Sequence, residues 1–314
     1  MFTTDSLGFD PEKTYDLIIL GGGPTAIGCA IYAARFALDI LIIGKVYGGL
    51  IATTDIVENY PAITSISGQS LMEMFRDHMN SLNIPYISDE INKIEKETDH
   101  FVLYSFFQKF KAYSICIATG SERRKLGIPG EVEFAGRGVS YCATCDGPFF
   151  KDKIVCVIGG SDSAAKEALF LAQNCSKVYI IYRGEEIRAE PINKERVYNN
   201  KKIEIIYKTT ITEIKGDSIV HSVIFDNGKE FKVDGVFIEV GTVPNSKLAK
   251  DINVKTNQKG EIIINRKSET NIPGVFAAGD VADAPFKQAI TGVSEGVIAA
   301  YSAFDYLKDI KIEY

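Results

Sequence analysis

Continuous apolar segments and glycine-rich turns alternate along this chain in a regular order. Residues 15–20 (YDLIIL) are apolar without alternation, which is typical of a strand buried on both faces of a parallel sheet. The segment GGGPTAIGCAIYAAR follows, in which the glycines break the strand and a helical pattern begins at Thr25. Residues 38–43 form the next apolar run, so the chain opens with a strand, a helix and a strand.

The next segments predict further elements of the same fold. Two alternating stretches, near 91–97 and 101–107, predict an antiparallel pair, and residues 114–119 (SICIAT) predict another buried strand. Residues 69–83 predict a helix whose apolar face is formed by Leu71, Met74, Phe75, Met79 and Leu82.

The opening pattern begins again at Lys153. KIVCVIGGSDSAAKEALFLA predicts a strand, a glycine turn and a helix, and KVYIIYRG predicts the following strand. This internal repeat predicts an α/β fold with two Rossmann-like dinucleotide-binding domains in one chain. We place the first domain in two parts, residues 1–119 and 242–314, with the second domain inserted at residues 120–241.

Composition limits the class of protein. The 314 residues are 46% hydrophobic and 24% charged, which is enough for two domains with their own cores. The formal net charge of −6 gives no basic stripe for nucleic acid. The apolar runs are far shorter than the roughly 20 residues of a membrane helix. The amino-terminal residues carry acids and no basic region, so we expect no signal peptide and a cytoplasmic protein.

The first glycine motif predicts a dinucleotide site. Gly21, Gly23 and Ala26 follow the first predicted strand and open the first predicted helix. Glycines let the backbone approach a pyrophosphate, and a helix N-terminus adds oriented N–H donors for the anion. A turn at Gly279 and Asp280, after a later apolar strand, suits a cofactor chain rich in hydroxyl groups.

The second glycine motif departs from the usual pattern. It consists of Gly159, Ser161 and Ala164, and the serine stands where a glycine normally lets a phosphate come near. Arg183 and Arg188 follow the next strand, where arginines can meet a 2′-phosphate, but two glutamates stand between them. Two interpretations stay open: a pyridine-nucleotide site, or a fold kept for its architecture that binds no nucleotide.

Cys142 and Cys145 form a CxxC pair in the segment YCATCDGPFF. A structural zinc site needs four ligands, whereas the chain has one such pair and three scattered histidines. A static crosslink is also disfavoured, because so short a loop gains little stability from closure. The spacing favours a disulfide that exchanges with thiols, and Asp146 beside it is placed to pass a proton.

The electron carrier for such a pair must deliver two electrons. No metal or haem motif is present in the sequence, whereas a dinucleotide fold suggests a flavin stacked against the disulfide. The sequence therefore predicts FAD beside Cys142 and Cys145. The remaining cysteines are isolated and are expected to be small buried hydrophobic residues: Cys29, Cys116, Cys156 and Cys175.

These motifs, taken together, resemble the low-molecular-weight thioredoxin reductase family. The resemblance extends over nearly the whole chain, through GGLIATTDIVENYPAI, IATGSERRKLGIPGE, GVSYCATCDGPFF, VIGGSDSAAKEAL and IPGVFAAGDVAD. The CATCD box between two dinucleotide motifs separates this family from the similar ferredoxin–NADP reductases, which lack the cysteine pair.

The resemblance implies a set of FAD contacts in the two-part domain. Asn59 would lie near the flavin, and Gln288 with Ala289 would meet the isoalloxazine ring. The residues that would bind FAD are Gly21, Gly23, Ala26, Asn59, Gly279, Asp280, Gln288 and Ala289.

The resemblance also implies the roles in disulfide chemistry. Cys145 would be the sulfur on the flavin side, Cys142 would attack the disulfide of a thioredoxin-like partner, and Asp146 would be the acid–base group. Members of the family are homodimers whose nucleotide domain rotates, so that the pair alternates between the flavin and the protein substrate.

Departures from the family fall mainly at the pyridine-nucleotide site. Ser161 replaces a glycine, and Tyr182-Arg183-Gly184 replaces the family's His-Arg-Arg, although Arg188 remains. The disulfide chemistry is intact while the NADPH site is eroded, a pattern that fits those members of the family that take electrons from ferredoxin. Restoring Ser161→Gly and Gly184→Arg together is expected to improve the use of NADPH.

We therefore predict an FAD-dependent, thioredoxin reductase-like disulfide oxidoreductase whose donor is ferredoxin or another reductant that is not NADPH. Its protein substrate would be thioredoxin or a thioredoxin-like protein. Two alternatives stay open: an ordinary NADPH-dependent thioredoxin reductase, and a non-catalytic flavoprotein that senses redox state.

Overall fold

The computed structural model describes Asp10 and residues 12–312, and the chain divides into two compact units. The first unit contains Met1–Glu122 and Val243–Tyr314, and the second contains Arg123–Thr242. The boundaries predicted from the sequence fall after residues 119 and 241. The sequence that predicts no signal peptide spans residues 1–13, and residues 1–9 and 11 of it lie outside the described residues.

Seventeen strands and seven α-helices are assigned within the described residues. The strands are β1 Thr14–Leu20, β2 Ile40–Ile43, β3 Tyr86–Ile87, β4 Lys93–Lys96, β5 Phe101–Tyr104, β6 Lys109–Ile117, β7 Ser121–Arg123, β8 Val139–Ser140, β9 Ile154–Ile158, β10 Lys177–Tyr182, β11 Ile203–Tyr207, β12 Ile211–Gly216, β13 Val220–Phe225, β14 Glu230–Lys232, β15 Gly235–Ile238, β16 Thr242–Pro244 and β17 Val275–Ala277. The helices are α1 Pro24–Arg35, α2 Gly68–Ser81, α3 Ala143–Asp146, α4 Asp162–Asn174, α5 Pro191–Asn199, α6 Lys247–Asp251 and α7 Ala289–Ile312.

The first unit is built on a seven-stranded sheet in the order β3-β2-β1-β6-β5-β4, with β17 also paired to β6. β1 is parallel to both β2 and β6, as expected for strands joined through a helix. Leu17 and Ile19 belong to one buried cluster, and Ile18 and Leu20 belong to the other. Because side chains alternate along a strand, β1 is covered on both faces, which explains its apolar run at residues 17–20.

The second unit repeats this plan around a five-stranded parallel sheet in the order β11-β10-β9-β15-β8. Helix α4 follows β9 and leads to β10, so strand, helix and strand recur as the internal repeat predicts. A separate three-stranded antiparallel sheet is formed by β12, β13 and β14. The mixed α/β fold with two Rossmann-like units confirms the predicted fold class.

Several local predictions were wrong or incomplete. Met74 is 54% exposed, whereas Met72 is buried, because helix α2 is rotated relative to the predicted apolar face. Strand β6 begins at Lys109, ahead of the apolar core of the segment. Helix α5 was not predicted, since its sequence PINKERVYN is polar and has no regular apolar stripe. Among the described residues, no helix is long and apolar enough to cross a membrane.

The core of the second unit provides a test of the fold. Phe237 on β15 is fully buried and contacts the ring of Phe150, with 5.3 Å between the ring centroids. We expect Phe237→Ala to lower the free energy of unfolding of this unit by about 3–5 kcal/mol, because it removes buried surface and leaves a cavity. Hydrogen exchange in β9 and β10 measures the change.

The matched control for this prediction is Ile219→Ala, whose side chain is 63% exposed. A surface truncation of this kind is expected to stay within about 0.5 kcal/mol of the parent chain. Equal exchange protection in the Phe237 and Ile219 variants would contradict the assigned core.

Candidate active site and cofactor-binding residues

The first glycine turn leads from β1 into α1 and is shaped for close approach. Gly21 has φ +134°, and a Cβ there would lie 2.2 Å from the carbonyl oxygen of Ala118. A Cβ at Gly23, in contrast, would have no protein atom within 4 Å, so the backbone faces open space there. Helix α1 begins next, with no acidic residue in its first turn and no side chain capping its N–H groups. This turn therefore leaves backbone donors free for an anion.

The turn at Gly279 and Asp280 lies against the same helix. Gly279 has φ +78°, and a Cβ there would lie 2.6 Å from Oγ1 of Thr25. The backbone N–H of Gly279 donates to a carboxylate oxygen of Glu295 at 2.8 Å. The Asp280 carboxylate accepts a hydrogen bond from the hydroxyl of Ser121 at 3.4 Å. Burial raises the pKa of Asp280, although Lys287 and Ser121 act in the opposite direction.

Asn59 and Gln288 are distant in the sequence and adjacent in the structure. The side-chain N–H of Asn59 donates to the side-chain carbonyl of Gln288 at 3.0 Å. Ala289 follows directly and begins helix α7. All eight residues predicted for FAD thus lie in the first unit. The open backbone at Gly23, the uncapped start of α1 and the carboxylate of Asp280 fit a group with a pyrophosphate and hydroxyl groups.

Sequence reasoning missed the residues that hold these elements together. A Cβ at Gly292 would lie 2.4 Å from Oγ1 of Thr25, and a Cβ at Gly296 would lie 2.4 Å from the Thr25 carbonyl oxygen. Helix α7 therefore approaches α1 closely only because both positions are glycine. The available signal was the spacing of the two glycines, four residues apart and so on one face of the helix.

In the second unit, Cys142 and Cys145 form a disulfide with their Cα atoms 5.3 Å apart. Cys142 is the N-cap of the short helix α3, and its sulfur accepts the backbone N–H of Cys145 at 3.2 Å. The backbone N–H of Cys142 donates to the hydroxyl of Ser140 at 3.0 Å. A donated N–H stabilises a thiolate, so the N–H of Cys145 favours negative charge on the sulfur of Cys142 once the disulfide opens.

Asp146 ends helix α3 and donates its backbone N–H to the carbonyl oxygen of Cys142 at 3.1 Å. Within the described part of the chain, its carboxylate makes no hydrogen bond or ion pair. The side chain is partly exposed, so it remains available for proton exchange with solvent and sulfur.

The other cysteines follow the sequence-based expectation. Cys29, Cys116, Cys156 and Cys175 are all buried and unbridged, which confirms them as core residues. Among the described residues, no cluster of three or more histidine, cysteine, aspartate or glutamate side chains is arranged to hold a metal ion.

The second glycine turn, between β9 and α4, differs from the first in the acidic residue that follows it in the first turn of the helix. Ser161 is the N-cap of α4 but makes no capping hydrogen bond with its side chain. Asp162 follows in the first turn and accepts hydrogen bonds from the N–H of Glu190 and the amide of Asn193, both at 2.9 Å. Lys166 pairs with the same carboxylate at 2.8 Å.

The charge of Asp162 is retained in this setting. Burial alone would raise its pKa, but Lys166, Asn193 and the N–H of Glu190 lower it below the usual value. The backbone N–H of Arg188 donates to the carbonyl oxygen of Gly160 at 2.6 Å, so the segment after β10 folds back onto the turn. This second turn thus differs from the first in carrying a fixed carboxylate.

The ring of Tyr182 lies between the two glycines of this region. A Cβ at Gly160 would be 2.4 Å from one edge of the ring, and a Cβ at Gly184 would be 2.5 Å from another part of it. Both glycines are therefore needed to accommodate the ring. Arg183 and Arg188 are exposed, and Ala164 is buried in α4.

The acidic residues between the two arginines bind neighbouring lysines. Glu185 pairs with Lys208 at 2.9 Å, and Glu186 pairs with Lys194. These ion pairs neutralise the charges of two lysines that would otherwise be available to a 2′-phosphate.

Comparisons with known protein families and sequences identify relatives of this chain. Residues 15–296 match the pyridine nucleotide-disulphide oxidoreductase family. Thioredoxin reductase from Bacillus subtilis (strain 168) is 38% identical over 307 residues, covering 96% of this chain and 97% of the relative.

Solved structures of relatives show the same fold. Thioredoxin reductase from Lactococcus lactis is 37% identical with a TM-score of 0.91, covering 94% of this chain and 100% of that structure. A ferredoxin-flavin thioredoxin reductase from Clostridium acetobutylicum is 31% identical with a TM-score of 0.55, covering 96% and 99%. This chain therefore belongs to the pyridine nucleotide-disulphide oxidoreductase family and is a flavoprotein disulfide oxidoreductase of the thioredoxin reductase type.

Proposed function

We propose that the first unit binds FAD and that electrons pass from it to the Cys142–Cys145 disulfide and then to a thioredoxin-like protein. The open glycine turn at α1 and the carboxylate of Asp280 support the cofactor, and the N-capping sulfur of Cys142 supports the exchange chemistry. Relatives named thioredoxin reductase support the protein substrate. A homodimer and a cytoplasmic location stay predictions.

In this proposal, each residue of the redox pair has a separate part. Cys142, whose sulfur accepts the N–H of Cys145, is the thiolate that attacks the partner's disulfide. Cys145 is exposed and is the sulfur on the flavin side, and its attack on the mixed disulfide releases the reduced partner. Asp146 supplies the proton for the leaving thiolate. FAD, when bound, supplies the two electrons.

We further propose that the donor is ferredoxin rather than NADPH. The observation that carries this is the Asp162 carboxylate in the first turn of α4, fixed by Lys166, Asn193 and Glu190. A helix N-terminus favours negative charge, and the Asp162 carboxylate already lies in the first turn of α4. A pyrophosphate at the same place would meet like charge, which disfavours binding.

The ring of Tyr182 adds a steric obstacle to the electrostatic one. It fills the space between Gly160 and Gly184. Tyr182 itself stands at the histidine position of the family's His-Arg-Arg pattern. The ferredoxin-flavin thioredoxin reductase among the structural relatives supports the existence of this donor within the same fold.

The donor is tested by which reductant bleaches the flavin. We expect reduced ferredoxin to bleach the visible flavin band in stopped-flow absorbance, and micromolar NADPH to leave it nearly unchanged. The physical reason is that the Asp162 carboxylate repels the phosphates of NADPH and the ring of Tyr182 occupies the space they need at the second turn. Rapid bleaching by NADPH would overturn the proposed donor while leaving the disulfide chemistry in place.

The roles of the two sulfurs are tested by covalent trapping. Cys145→Ser removes the disulfide partner of Cys142. We expect the Cys142 thiolate to form a stable mixed disulfide with a thioredoxin whose resolving cysteine is replaced by serine and whose other cysteine carries a thionitrobenzoate disulfide, from which thionitrobenzoate leaves as the thiolate. Cys142→Ser is expected to give no such complex. Cys175→Ala, at a buried cysteine outside the pair, serves as the control and should keep the parent's turnover. Trapping by Cys142→Ser instead would reverse the assignment.

The nucleotide site is tested by rebuilding it, and the structure changes the variant that is needed. Ser161→Gly with Gly184→Arg was expected to improve NADPH use, but the new Cβ at 184 would lie 2.5 Å from the ring of Tyr182. Since the backbone at Gly160 lies close to the other side of the ring, the ring has no room to move aside, and Tyr182→Ala must be added. Asp162→Asn is added as well, because it removes the negative charge from the first turn of α4.

The four-residue variant is expected to increase NADPH-dependent flavin reduction by at least about tenfold, the effect of one charge-assisted contact of roughly 1.5–3 kcal/mol. Asn227→Arg adds the same positive charge at an exposed turn of the second unit and is expected to have no effect. No gain from the four changes would show that the second turn does not decide the donor.

A further inference from the structure

The segment that carries the redox pair packs against helix α4. The sequence analysis connected this helix only with the nucleotide turn. Gly147 directly follows α3, and a Cβ there would lie 3.0 Å from Cε1 of Phe170 and 3.2 Å from Cδ2 of Leu171. Both contacts belong to the middle of α4. The helix that carries the disulfide therefore packs against α4 without a gap.

Glu167 lies one turn earlier on α4 and reaches the backbone of the CxxC segment. Its carboxylate oxygen Oε1 accepts the N–H of Ala143, between the two cysteines, at 3.4 Å. The other oxygen, Oε2, is buried and has no hydrogen-bond partner among the described residues. Only 14% of the side chain is exposed. A buried carboxylate with an unsatisfied oxygen is costly to keep ionised.

The charges around Glu167 are few. Arg123 lies 3.6 Å from Oε1 and is itself paired with Glu239, next to the end of β15. Burial raises the pKa of Glu167 to about 7, while Arg123 and the N–H of Ala143 lower it.

The elements packed against Glu167 contribute a limited set of other titratable groups. On α4 itself Lys166 is paired with Asp162, and on α5 Lys194 is paired with Glu186. Helix α5 also carries Glu195 and Arg196, and the redox segment adds Cys142, Cys145 and Asp146.

We propose that Glu167 is a positioning residue for the redox pair, which holds the N–H of Ala143 and takes up a proton when the disulfide is reduced. The proposal deepens the proposed function, and it concerns only the disulfide, whatever the donor or acceptor. Two electrons break the Sγ–Sγ bond. One proton goes to Cys145, and Cys142 stays a thiolate held by the N–H of Cys145. The second proton goes to Glu167 and neutralises it beside the new negative charge.

The direction of the pH effect follows from this coupling. A thiolate near the carboxylate raises the pKa of Glu167 above its value with the disulfide closed. At high pH the carboxylate is charged in both redox states and opposes the thiolate, so reduction is harder than with a neutral side chain. At low pH the carboxyl is neutral in both states, and this penalty disappears.

The test compares the complete flavoprotein with Glu167→Gln, whose side-chain carbonyl can still accept the Ala143 N–H. Each protein is equilibrated with mixtures of reduced and oxidised dithiothreitol between about pH 6 and pH 8.5. Dithiothreitol supplies the two electrons and becomes a cyclic disulfide with release of two protons. Alkylation and mass spectrometry of the peptide containing Cys142 and Cys145 give the fraction reduced.

We expect the variant and the parent to have the same equilibrium constant at the acid end. Towards alkaline pH the variant should become easier to reduce than the parent. The expected difference is about tenfold for each unit by which the pKa of Glu167 in the reduced protein exceeds its pKa with the disulfide closed. A constant ratio across the range would overturn the proposal, because a merely structural glutamate would not change the pH profile. Glu204→Gln, which removes an exposed carboxylate paired with Lys177 in the same unit, should match the parent.

A second variant decides the matter if Glu167→Gln does not fold. Arg123→Gln removes the cation that favours the charged carboxyl, so the pH dependence should move to higher pH. An unshifted profile in Arg123→Gln would also overturn the proposal. Since no ferredoxin, NADPH or thioredoxin enters the measurement, failure of the proposed donor or acceptor and failure of this inference give different results.

Discussion

The close contact of helix α7 with helix α1 is the constraint on which the first unit depends. Two glycines of α7, at 292 and 296, and Gly279 before it all lie against Thr25 at distances that no Cβ could tolerate. This contact joins the last part of the chain to the first, across an insertion of 120 residues at Arg123–Thr242. It also brings Asp280 to the glycine turn of α1 and Gln288 to Asn59. The candidate FAD residues form one group because the two helices meet so closely.

Much of this arrangement could be predicted from the sequence. The unbroken apolar strands, the glycine turns and their repetition predict two α/β units, because parallel strands buried on both faces leave that pattern. The CxxC spacing predicts the disulfide chemistry directly, since two sulfurs so close can bond to each other and the sequence offers no second pair of metal ligands. These features are local, and each is contained in fewer than about 20 residues.

The parts that could not be predicted depend on contacts between distant segments. Glu167 reads as an ordinary polar position of a helix, and only the packing of α3 on α4 buries it under the CxxC segment. Tyr182 reads as a substitution in a family pattern, and only the fold shows its ring wedged between two glycines. Asp162 reads as a normal first-turn residue, whereas its three partners come from α4, α5 and the segment before α5.

Helix α4 begins at the nucleotide turn and passes beneath the redox pair, and this gives it two separate tasks. Its first turn is where a nucleotide would bind, whereas its middle, through Glu167, Phe170 and Leu171, is the platform for the disulfide. Loss of the first task leaves the second in force. A chain of this fold that binds no pyridine nucleotide would still need its second unit, because the same helix supports the sulfurs. In such a chain, the contacts with the CxxC segment would restrict the residues of α4 one to two turns beyond its N-terminus, whatever the first turn binds.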